Sequence, residues 1–176
     1  MGWFSKAIPE RKWANVSFAL GRDLQALGTS WCSTFQRGIA SQNFAFVSNG
    51  MSATVQHYIS MLQLSAVAAT LQENGYVSDV SFFLELLYII LTNNPPADLH
   101  CDIETLPFAR VGDAQRSLNL WAQSMASELS RDEDSSKLIE ELGRYGALLV
   151  IRAKITTCEA CGDHKGAEKI RKFFGS

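Results

Sequence analysis

A chain of 176 residues with 47% hydrophobic and 19% charged side chains is long enough for one domain with its own core and too apolar for a disordered tail. Its 16 Lys+Arg against 18 Asp+Glu give a formal net charge of -2, which argues against a globally basic nucleic-acid binder. No phosphate loop, Gly-x-Gly-x-x-Gly, His-Glu-x-x-His or Gly-x-Ser-x-Gly occurs, so the common signatures of nucleotide, zinc-protease and serine-hydrolase chemistry are missing.

The prolines, Pro9, Pro95, Pro96 and Pro107, leave 10–94 and 108–176 uninterrupted. Proline breaks helices and β-branched residues favour strands. Ala and Leu together outnumber Val, Ile and Thr by 38 to 26, so both counts predict an all-α chain. Trp13, Val16, Leu20, Leu24 and Leu27 follow helical spacing, with Pro9 suited to the entry, and a weaker segment carries Trp31, Phe35 and Ile39. After the Asn49-Gly50 turn, a helix over 52–72 is apolar almost all round, and Asn74-Gly75 stops it. Asp79 or Ser78 caps a helix to Thr92, which Asn93-Asn94-Pro95-Pro96 ends. Residues 93–112 read as the one long irregular connection. Asp113 caps a helix carrying Ala114, Leu118, Trp121, Met125 and Leu129. The next helix puts Leu138, Leu142, Tyr145, Leu149, Ala153 and Thr156 on one face; Gly162 closes it, and a short last helix carries Ala167, Ile170 and Phe173. The expected architecture is a single all-helical domain, 1–176, a bundle of about six helices.

The turn into the last helix, Gly162-Asp163-His164-Lys165-Gly166-Ala167, resembles the Gly-Asp-x-x-x-Ala signature of a tetratricopeptide repeat. The resemblance implies a C-terminal helical hairpin, with glycine making the turn and alanine letting the helices approach. Lys154 and Ile155 stand where Leu-Gly would complete the pattern, so the resemblance covers this turn alone.

Charge is unevenly placed. Residues 1–72 carry a net +3, 73–141 a net -9 and 142–176 a net +4. An acidic middle, with Asp132, Glu133, Asp134, Glu140 and Glu141 at its end, would steer a basic partner protein. Lys165, Lys169, Arg171 and Lys172 crowd the last helix and offer a weaker route to phosphate, as in a regulatory nucleic-acid binder. From Gly38 to Gln72 there is no Asp, Glu, Lys or Arg. Such a run suits a helix inside a bundle; it also suits an interface or a homodimer seam, anchored by Phe44, Phe46 and Met51 with Tyr58 and Met61.

Cys158 and Cys161 lie three apart on one helix face, with His164 beyond the turn and Cys101 as a distant fourth ligand for tetrahedral zinc. The competing reading is that these cysteines are small core residues. Glu85, set among Phe82, Phe83, Leu84, Leu86 and Leu87, could serve as a general acid or base with His57, or simply sit at a helix edge. Residues 1–6 lack the apolar run of a signal peptide, and 82–91, interrupted by Glu85, is too short to span a bilayer, so the expected compartment is the cytoplasm, with reduced cysteines. The function expected is a non-enzymatic, bacterial interaction module that occludes or holds a partner, as an immunity protein, secretion chaperone or adaptor does. The alternatives are a small-molecule- or zinc-binding bundle, catalytic through Glu85 and His57, and a nucleic-acid regulator.

Overall fold

A computed structural model describes residues 7–40, 51–92, 114–129 and 135–175. Six helices account for almost all of them: α1 (Trp13–Ala40), α2 (Met51–Asn74), α3 (Val80–Thr92), α4 (Ala114–Leu129), α5 (Ser136–Ala160) and α6 (His164–Phe174), with a 3-10 turn at Glu10–Lys12 leading into α1. No strand occurs among the described residues. The chain is an all-α, single-domain bundle.

The helix ends follow local chemistry. Gly75 takes a φ of 63°, a left-handed conformation that costs glycine little, and α2 stops there. The Asp79 carboxylate then accepts from the Phe82 amide at 2.9 Å and caps α3. At the next sharp turn Gly162 has a φ of 76°, and the Asp163 carboxylate accepts from the Gly166 amide at 3.0 Å to start α6. α5 and α6 pack against each other across this turn.

One expectation is corrected. The segments carrying Leu27 and Trp31 belong to one 28-residue helix, because Leu20, Leu24, Leu27, Trp31 and Phe35 keep a single register through Gly28. On the last helix Ala167 is buried, whereas Phe173 is 81% exposed.

α2 and α5 pack against each other at the centre, and α1, α3, α4 and α6 surround them. Every residue from Leu62 to Leu71 is buried, which a helix allows only when neighbours cover it on all sides. This explains the missing charge in that stretch: an ion there would lose its water without gaining a partner. The hydroxyls it carries are satisfied within the helix. Thr70 donates to the Ala66 carbonyl at 2.7 Å, and Ser65 to that of Met61 at 2.8 Å.

The core has two lobes. One gathers Trp13, Leu24, Leu71, Tyr76, Phe83 and Ala153; the other gathers Trp31, Leu62, Trp121, Met125, Leu142 and Leu149. Each of these tryptophans donates its indole N–H to a backbone carbonyl of another segment: Trp13 to Ile8 at 2.9 Å, Trp31 to Tyr145 at 2.7 Å and Trp121 to Tyr58 at 2.9 Å. A ring that fills volume and spends its one donor this way fixes both the spacing and the register of its neighbours.

Candidate functional site

The residues the sequence groups for metal binding lie at the α5–α6 turn. Cys158 is buried, Cys161 half-buried and His164 exposed. Among the described residues no three His, Cys, Asp or Glu side chains are grouped to hold a metal ion, and Cys101 lies outside those residues. The Tyr76 hydroxyl occupies this corner instead. It donates to Asp163 Oδ2 at 2.6 Å and lies 3.5 Å from the Cys158 sulfur. Burial pushes the Cys161 thiol up to about 12, with Cys158 and Asp163 adding to the effect, so the neutral thiol is the stable form. A neutral, half-buried thiol is a poor nucleophile.

Glu85 is half-buried on α3, while His57 is exposed on α2 with its ring 5.8 Å from that of Tyr58. No hydrogen bond or ion pair joins Glu85 to His57 in the described structure. In the acidic stretch, Asp132, Glu133 and Asp134 lie outside the described residues; Glu140 is exposed, and Glu141 pairs with Arg144 at 2.7 Å. Phe44 and Phe46 also lie outside the described residues, and Met51 is the first residue of α2. Of the four basic residues on α6, Arg171 pairs with Glu159 and Lys172 pairs with Glu168.

The feature that sequence spacing does not single out is a groove on the surface between α1, α5 and α6. Two hollows, of about 100 and 390 Å³, share Leu27, Leu148 and Arg152 and so run into one another. On α5 the stripe Tyr145, Leu148, Arg152, Ile155 and Glu159 advances by three and four residues and forms one wall. Leu27, Trp31 and Thr34 of α1 face it, and Arg171 and Phe174 of α6 close one end. Leu148 and Phe174 are each 52% exposed, large apolar side chains left in water beside one another's groove. Arg152 is exposed and makes no ion pair among the described residues, although Arg144, Lys154 and Arg171 on the surrounding surface all do. The groove thus offers an apolar floor about four helical turns long and one uncommitted positive charge near its middle.

Comparison with protein-family models, with curated proteins and with solved structures found no match. No helix among the described residues is long and apolar enough to cross a membrane.

Proposed function

We propose that this protein is a non-enzymatic interaction module that holds an amphipathic helical segment of a partner protein in the α1–α5–α6 groove. The observation that carries this reading is the pairing of exposed Leu148 and Phe174 with the unpaired Arg152 in one continuous groove. Helix-in-groove recognition needs an apolar trough for residues at i, i+3 or i+4 and i+7, with charges at the rim to set register. Arg152 calls for an Asp or Glu on the partner helix. Glu141 lies on the same α5 stripe, about three turns towards the N-terminus, so a Lys or Arg at that end of the partner would complete the complement. Asp132, Glu133 and Asp134 precede α5 in the sequence, and their charge together with that of Glu140 would draw in a basic flank. Occluding or sheltering such a segment is the task of an immunity protein, a secretion chaperone or an adaptor.

A display selection of peptides of about 20 residues against the full chain tests the reading. The enriched peptides are expected to carry apolar residues at helical spacing with one acidic residue among them. Leu148→Asp is expected to abolish their binding, and Arg152→Ala to weaken it about five- to tenfold. Both positions are exposed, so circular dichroism is expected to show the fold unchanged. Peptides that bind Leu148→Asp as tightly as the parent would place the docking surface elsewhere.

A further inference from the structure

On the opposite flank of α1, where α1 meets α2 and the end of α3, lies a separate cleft of about 410 Å³. We infer that it is a binding site for an uncharged small molecule that donates hydrogen bonds, independent of the helix-binding groove. The volume lies within the range of ordinary ligand sites. Among the described residues no Asp, Glu, Lys, Arg or His lines it, so an ionic ligand would be stripped of water with no counter-charge from them to meet.

Gln63 sets the chemistry. It is 1% exposed, and its Nε2 donates to the Leu24 carbonyl at 2.8 Å. A carbonyl accepts only, so the amide is fixed with its Oε1 as the free end. That oxygen meets no donor among the described residues, yet no enclosed side-chain nitrogen or oxygen there lacks a partner. Solvent therefore reaches Oε1, and the cleft that Gln63 lines is the way in. Gly28 keeps the wall open: a Cβ there would stand 3.2 Å from the Ile59 methyl and 3.7 Å from Oε1 itself. The nearby hydroxyls spend their protons on their own helix, Thr29 on the Gln25 carbonyl at 3.0 Å and Ser33 on that of Thr29 at 3.1 Å, so they too present lone pairs to the cleft. Leu24, Ile59 and Leu91 supply apolar walls. The Gln63 acceptor, the apolar walls and the lack of charge among the described lining residues suit a neutral molecule with an N–H or O–H on an apolar body, while Gln56 and Ser60, which also line the cleft, can pair with its other polar atoms.

Indole is a suitable probe, being neutral and flat with a single N–H donor. With Ile and Leu methyls labelled, an NMR titration of the full chain with indole is expected to shift Ile59 and Leu91 saturably. The analogue 1-methylindole, which lacks the donor, is expected to bind about fivefold or more weakly, and indole-2-carboxylate to bind more weakly still. Gln63→Leu is expected to remove the preference for indole over 1-methylindole. Ser60→Phe, at a half-buried position in the cleft wall, keeps the test decisive if the first variant does not fold, and is expected to block binding. No saturable shift at millimolar indole, equal binding of the methylated analogue, or undiminished binding to Ser60→Phe would each overturn the inference.

Discussion

The Tyr76 hydroxyl and Asp163 Oδ2 stand 2.6 Å apart across 87 residues of chain, and this one bond ties the α2–α3 turn to the α5–α6 turn. Both ends do further work. The Tyr76 carbonyl accepts from the Ile8 amide at 2.7 Å, holding the segment before α1, and the Asp163 carboxylate caps α6. Tyr76→Phe keeps the ring and removes the donor from a carboxylate that is only 9% exposed. A loss of about 1–3 kcal/mol is expected, read as a lower urea midpoint and a fall in Tm of about 2–4 °C for each kcal/mol. Asp163→Ala, which also deletes the cap, is expected to cost more. Equal stability of Tyr76→Phe and the parent would make the contact incidental.

The same corner predicts alkaline sensitivity. Burial first, and then the hydrogen bond to Asp163, raise the Tyr76 phenol above its ordinary value; burial first, and then Cys158 and Asp163, push the Cys161 thiol up to about 12. Burial pushes the Cys32 thiol in the same direction. Each group holds its proton more tightly folded than unfolded. Their contribution is therefore complete below the unfolded values, about 8.5 for cysteine and about 10 for tyrosine, and is lost as pH rises beyond them. The urea midpoint is expected to fall from about pH 8.5 upward, with the tyrosine joining above about pH 10. In Cys161→Ala the first part of the fall is expected to be shallower, and in Tyr76→Phe the second. Parallel curves for parent and variants would assign the loss to other groups.

The buried run of α2 gives a direct test of core against interface. Val67 is fully enclosed, whereas Gln72, five residues on, is exposed. Val67→Glu places a carboxylate where nothing can pair it and is expected to cost about 4 kcal/mol or more, up to failure to fold. Gln72→Glu is expected to change stability by no more than about 0.5 kcal/mol. Denaturation midpoints are expected to be independent of protein concentration, since the neighbours covering α2 belong to the same chain. A midpoint rising with concentration would return this helix to a subunit seam.

Helix positions are legible in the sequence because their causes are local. Leu20, Leu24 and Leu27 mark a face by spacing, Gly75 and Gly162 mark stops by conformational freedom, and Asp79 marks a start by its side-chain oxygen. The candidate sites are not legible, because they arise from which helices meet. Leu148 and Leu149 are adjacent and chemically identical, yet one is 52% exposed and the other fully buried. Periodicity shows that α5 has an apolar stripe and is silent on how far α1 and α6 extend over its edge. Cys158 and Cys161 share the spacing of a ligand pair, but it is Tyr76, brought from another helix junction, that decides what surrounds them. Gln63 likewise reads as one polar residue in an apolar helix until the Leu24 carbonyl fixes its amide.

Two glycines on α5 should respond in opposite ways to the same substitution. Alanine is the better helix former by about 0.8–1 kcal/mol, so propensity alone favours both changes. At Gly143 a new Cβ would meet nothing within 4 Å, and Gly143→Ala is expected to stabilise by about 0.5–1 kcal/mol. At Gly146 it would stand 2.7 Å from Trp121 Cζ3 and 2.9 Å from Leu118 Cδ1. Trp121 is 3% exposed and held by its bond to the Tyr58 carbonyl, so the ring cannot withdraw without giving up that bond. Gly146→Ala is therefore expected to destabilise by about 1–3 kcal/mol, through α4 being pushed off α5. Urea unfolding of the two variants measures the difference directly, and a stabilised Gly146→Ala would mean that α4 does not pack on α5 this closely.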